Sequence, residues 1–215
     1  MHHLLHRFTS RDLLQIGLAN MLPLMGVLFA GWDIYLLLLY YWLETVVIAF
    51  WALAGLVLLP RGANDLSLPD AVPARLVLAV FMVLHAGLFL SVHLVMMSSF
   101  FGSNWSGLAG SPEHIFGRFI VGEGLWVPLL AFFLFRGAVF LDQRHAPAVS
   151  VDIVGLYLRI FVMQSVIIFG ALGSVALGDL AGLLLLVAFR LALDLMWPEL
   201  VDRLVTHLPK SRKAS

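Results

Sequence analysis

Glu44 lies in the stretch YYWLETVVIAF, and no other charged residue occurs between Asp33 and Arg61. Further along, FMVLHAGLFLSVH carries His85 and His93, each four residues after a phenylalanine. Glu123, Arg159, Gln164, Arg190 and Asp194 are further polar side chains inside otherwise apolar runs. A carboxylate and imidazoles can relay protons or ligate a metal ion. Their spacing restricts the second option. Eight residues separate the two histidines, which puts them about 80° apart around a helix and more than two turns apart in height. One helix therefore cannot offer both to a single small ion, and each histidine needs ligands from another helix. Glu44 is the candidate for His85. For His93 the candidates are Glu123, His114, or the thioethers of Met96 and Met97, which suit Cu(I).

The elements that must position these residues follow from composition. The chain has 215 residues, 61% hydrophobic and 12% charged, about half the charge of a soluble domain. So apolar a chain cannot cover itself with polar surface in water, but it can if lipid is its solvent. Net charge is zero, which gives nucleic acid nothing to bind, and there is no cysteine for disulfides, thiolate metal sites or nucleophilic catalysis. The start, MHHLLHRFTSRD, lacks the short apolar core and small-residue cleavage site of a secretory signal. Six apolar runs read as membrane spans: Leu13–Ala30 with a kink at Pro23, Ile34–Leu59, Leu76–Phe101, Phe119–Leu141, Ile153–Ala176 and Leu180–Trp197. The expected architecture is an all-α, polytopic bundle of six transmembrane helices. It has a cytoplasmic segment 1–12, one transmembrane domain 13–198 and a basic tail 199–215. Arg7, Arg11, Arg61, Arg75, Arg136, Arg144, Arg203, Lys210, Arg212 and Lys213 would all fall on one side, with Arg118 alone on the other. The excess of positive charge on the inside then places both termini in the cytoplasm, and the membrane is read as a bacterial inner membrane. Asp33 and Asp179 mark outer hairpins, and Trp32 and Trp105 suit the outer interface.

Topology converts sequence position into depth. Glu44 lies roughly 15 Å below the outer end of its span and His85 roughly 15 Å above the inner end of its own. Gln164 and Arg190 come out near the same midplane. Asp194 shares a helix face with Arg190 four residues before it, and Arg159 lies toward the inside. Charges at this depth cost several kcal/mol unless paired or hydrated, so they are expected to meet inside the bundle, Glu44 with Arg190 or His85. Intramembrane ionisable residues are functional candidates by default, which points to a proton relay or a small polar ligand or ion site. A metal-dependent membrane enzyme built on Glu44, His85, His93 and Glu123 is the second reading. A structural or assembly subunit, in which the same residues pin helices together, is the third. In that case a membrane-protein partner or a second copy would share the bilayer.

Known intramembrane chemistries fit poorly. A serine protease of the rhomboid kind needs a histidine on a later helix, and no span after Ser174 carries one. The prenyl endopeptidases pair a Glu-Glu motif with Phe-x-x-x-His. Phe81–His85 and Phe89–His93 match the second motif, but Thr45 follows Glu44 and the first is missing. A bis-histidine haem needs a second histidine-bearing span, and none is present. The stretches YYWLETVVIAFW, LHAGLFLSVHLVMM, LRIFVMQSVIIFGALG and RLALDLMWPE together resemble an uncharacterised bacterial multi-pass membrane family, a domain of unknown function. The resemblance runs from the second span to the end. It implies the membrane bundle and no assigned activity. It also implies further histidines in the last two helices, where Gln164 and Trp197 stand in this chain.

Overall fold

Asp33 starts the central helix. Its carboxylate accepts the Leu36 N–H at 2.9 Å, satisfying one of the free donors of the first turn. The helix then runs over Ile34–Leu58, here α1. The hairpin leading into it depends on two glycines. Gly31 takes φ +68, a conformation other residues resist. Gly26 carries no side chain, so the Trp32 indole can lie directly on its backbone. Trp32 is thus buried, its ring packed on Tyr40 at 5.6 Å with a tilt of 45°. The computed structural model describes Met21 and residues 24–59, 72–102, 112–142, 149–178, 186–188 and 191–192. Arg190, Asp194, Trp197, the kink at Pro23 and both termini lie outside the described residues.

Three more long helices pack around α1, all of them without strands among the described residues: α2 (Val72–Phe101), α3 (Trp126–Asp142) and α4 (Val149–Leu177). Two of these begin four residues earlier than the apolar runs suggest. In α2 the reason is that Pro73 falls in the first turn, where a missing N–H costs nothing. Arg75, one turn into α2, donates from Nη2 to the Leu59 carbonyl at 2.6 Å and so ties this helix to the end of α1. Contacts set the directions. Trp42 Nε1 donates to Leu90 O at 2.8 Å and the Tyr35 hydroxyl meets Ser98 Oγ at 3.4 Å, so α1 and α2 are antiparallel. His85 reaches Tyr157 and Gln164 reaches Met96, so α2 and α4 are parallel. Trp51 packs on Phe133 and Phe140, and Tyr35 on Phe119, so α1 and α3 share a direction. Gly137 lets the Trp51 ring in: a Cβ there would sit 2.9 Å from Cζ2.

The fourth expected span is not one helix. Residues Ile115–Gly122 form a π-helix, the chain turns at Glu123–Leu125, and α3 leaves at 89°. Gly124 takes φ +74. Pro128 has no N–H to give to the Gly124 carbonyl, so a continuous helix through this point would lose a bond and clash. In the first turn of α3 it does neither. Glu123 N–H closes the π-helix on Arg118 O at 3.0 Å.

Residues 35–41 of α1 are buried on every side, as expected for a helix enclosed by others. By contrast α2 buries one stripe, Ala79, Met82, Ala86, Leu90, His93, Met97 and Phe101. Its opposite face is exposed and apolar from Leu76 through Val80, Leu84, Leu88, Val92 and Val95. The hydroxyls on that face return to their own helix: Ser91 Oγ donates to Gly87 O and Ser99 Oγ to Val95 O, both at 2.8 Å. This is how a helix satisfies hydroxyls where water is absent. By length and composition, α1 and α2 could each cross a membrane, and the bent pair 115–122 and 126–142 would make a third span if it counts as one. The apolar part of α4, 153–169, is shorter.

Candidate functional site

Three polar side chains are buried among the described residues: Glu44, Thr45 and His93. Thr45 is satisfied locally, its Oγ1 donating to Tyr41 O at 3.0 Å. His93 lies on the buried stripe of α2. On α1 the side turned to α2 carries Tyr35, Trp42, Val46 and Ala49. Glu44, about 200° around the helix from Trp42, lies on the opposite side, the face that carries Trp51 to Phe133 and Phe140 of α3. Glu44 is 0% exposed and His93 2%.

The hydrogen-bonded register between the helices gives their relative heights. With Trp42 level with Leu90 and Tyr35 level with Ser98, Glu44 stands level with Leu88 and Phe89. His93 is then about 7 Å to one side of Glu44 along the bundle, and His85 about 5 Å to the other. Side chains on a helix lean toward its N-terminus. Because α1 and α2 are antiparallel, this lean brings Glu44 and His93 closer in height and takes His85 further off, while Glu44 stays on the side of α1 turned from α2. The rings agree with this. The His93 ring lies back over the preceding turn, with Nδ1 at 2.6 Å from Phe89 O. His85 is turned to α4, with Nδ1 at 3.2 Å from the Tyr157 hydroxyl, and is boxed by Phe81 (stacked, 5.1 Å), Phe89 (edge-on, 5.1 Å) and the Tyr157 ring. Of the two partners expected for Glu44, His85 takes Tyr157 instead, and Arg190 lies outside the described residues.

The tautomer of His93 follows from its partner. A backbone carbonyl only accepts, so Nδ1 carries the proton and Nε2 the lone pair. That Nε2 is buried and has no hydrogen-bond partner.

The remaining sequence candidates disperse. Glu123 pairs with Arg118 at 3.2 Å, on the bend before α3 and partly exposed. His114, at the start of the same segment, is half-buried with Nδ1 enclosed and unpartnered. Gln164 Nε2 approaches Met96 Sδ at 4.0 Å, and Arg159 is half-buried on α4. Among the described residues no three of His, Asp or Glu come together to hold a metal ion. A shared site of Glu44, His85, His93 and Glu123 is thus not formed. Tyr157 is the participant that sequence reasoning missed. Its signal was present: a hydroxyl on the fifth apolar run, which must lie parallel to the third, at a depth that only the earlier helix starts reveal.

The chain belongs to a family described as "Family of unknown function (DUF6498)", whose model matches residues 4–215. No curated protein and no solved structure matches it significantly.

Proposed function

We propose that this member of a family of unknown function is a multi-pass protein of the bacterial inner membrane, with six spans and cytoplasmic termini, whose core relays protons through Glu44. The observation that carries the reading is the complete burial of Glu44 in the most enclosed part of the central helix. A carboxyl there costs several kcal/mol when charged unless something offsets it, so such a residue is kept for a purpose rather than tolerated. Support for the membrane comes from the exposed apolar face of α2, the serines folded onto their own helix, and the alternating directions of the described helices. His85, about 5 Å from Glu44 in height, would accept and pass on its proton. Gln164, Arg159, Arg190 and Asp194 would extend the network toward the inner side.

The test is proton flux in proteoliposomes driven by a potassium diffusion potential. Wild type should acidify or alkalinise a trapped dye well above empty vesicles. Glu44→Gln should reduce this at least tenfold while remaining folded and monodisperse. Equal flux in both proteins would overturn the relay. If Glu44→Gln instead unfolds at lower temperature and flux is absent in both, Glu44 serves packing.

A further inference from the structure

We propose that His93 and Met97 form a buried binding site for a soft monovalent metal ion, Cu(I). This site does not depend on the relay and centres on the His93 ring. Its Nδ1–H is committed to Phe89 O at 2.6 Å, which leaves Nε2 as a bare lone pair inside the bundle. This is the second-shell pattern of a metal-ligating histidine, in which the far nitrogen is held by a carbonyl so that the near one is deprotonated and oriented. An enclosed acceptor with nothing to accept costs about 1–3 kcal/mol, so a ligand that uses it gains that much before any other contact.

Several donors of α1 and α2 are engaged elsewhere, and the buried Tyr40 and Tyr41 hydroxyls do not reach Nε2. Trp42 N–H goes to Leu90 O, Tyr35 meets Ser98, and Ser91 and Ser99 bond their own helix.

Met97 is the second ligand. It is one turn beyond His93 on the same buried stripe and is 0% exposed. Residues four apart on a helix have Cβ atoms about 5–6 Å from each other, and a methionine leans back toward the preceding turn. Its neighbour Met96 is on a different face and lies against Gln164 Nε2. The structure thus selects between two adjacent methionines that the sequence alone leaves equivalent. The chemistry of the pair selects the ion. Imidazole and thioether are soft, neutral donors that suit Cu(I), an ion satisfied by two or three ligands. A divalent ion such as Zn²⁺ wants four, often charged, and the described residues bring no three of His, Asp or Glu together. Because Nε2 already lacks its proton, Cu(I) binding releases none.

The test is Cu(I) binding to the full-length detergent-purified protein under anaerobic conditions, by competition with a chromophoric Cu(I) chelator and by metal analysis after gel filtration. Wild type should hold close to one copper per chain. His93→Gln, which preserves size and polarity, should lose it. Met97→Leu should bind at least tenfold more weakly, and Met96→Leu should bind as wild type does. X-ray absorption on the loaded protein should show both a nitrogen and a sulfur neighbour. Failure of wild type to bind, retention in His93→Gln, or a loss in Met96→Leu in place of Met97→Leu would each overturn the proposal. Should His93→Gln misfold, the two methionine variants decide alone.

Discussion

Three glycine-to-alanine substitutions in helical backbone should give three different outcomes, because the space around each Cα differs. Alanine in a helix interior gains about 0.5–1 kcal/mol over glycine. Against this stands whatever the new methyl meets. At Gly87 a Cβ has nothing within 4 Å, and the residue borders an apolar groove of ≈ 210 Å³ lined also by Val46, Phe50 and Leu90. Gly87→Ala should therefore keep the gain and stabilise by up to about 1 kcal/mol. At Gly137 the Cβ would lie 2.9 Å from the edge of the Trp51 ring, which Phe50, Phe133 and Phe140 confine. Overpacking of this kind costs about 1–3 kcal/mol, so the net effect is a loss of about 0–2 kcal/mol. At Gly26 the Cβ would overlap the indole of Trp32, a residue whose backbone N–H is bonded to Gly26 O at 3.0 Å and whose ring packs tilted on Tyr40. Neither group can retreat, and Gly26→Ala should lose about 2 kcal/mol or more. Equilibrium unfolding in mixed detergent micelles, followed by tryptophan fluorescence, reads all three on one scale. The order predicted is Gly87→Ala at or above wild type, then Gly137→Ala, then Gly26→Ala. A Gly87→Ala protein as unstable as Gly26→Ala would refute the packing described here.

Other substitutions test single contacts by the same assay. Tyr157→Phe removes the hydroxyl partner of His85 Nδ1 and should cost about 0.6 kcal/mol, at most about 1.7, the range of interhelical hydrogen bonds in membranes. Its imidazole resonances should shift, while those of His93 stay in place. Asp33→Ala removes the cap of α1 and should cost about 1 kcal/mol, with Asp33→Asn restoring most of it. Ser91→Ala and Ser99→Ala should each change stability by less than about 0.5 kcal/mol, since both hydroxyls bond only their own helix on an exposed face.

How far the sequence could be read depended on whether a signal was local. The apolar run after Asp33 is bounded by a capping carboxylate and a loop, and the helix it implies ends within a residue of the real one. The 80° separation of His85 and His93 is a property of any helix, and it correctly sends them to different neighbours. The break before α3 was also written locally, in GEGLWVP, but hydropathy averages over it, and Pro128 reads as harmless until Gly124 is seen to turn the chain. Partnerships were much less legible. Equal depth suggested that Glu44 would meet His85. The faces of the two helices decide otherwise: His85 turns to Tyr157 on α4, and Glu44 lies on the side of α1 opposite Trp42, which is known only once Trp42 is seen to meet Leu90. Trp32 shows the same limit, since its burial depends on Gly26 leaving a bare patch of backbone six residues earlier.

The account stands on Glu44 lying at the middle of a membrane, and depth can be measured without altering Glu44. The natural chain has no cysteine, so single cysteines can be placed along the exposed face of α2 at Leu76, Val80, Leu84, Leu88, Val92 and Val95 and spin-labelled in lipid bilayers. Collision of each label with oxygen, relative to a water-soluble nickel chelate, reports its depth. The account predicts a ratio that rises from Leu76, peaks around Leu88, which is level with Glu44, and falls again by Val95. A nickel chelate that reaches Leu88 as readily as Leu76 would show that this face is wet, and would contradict both the membrane-spanning role of α2 and the intramembrane position of Glu44.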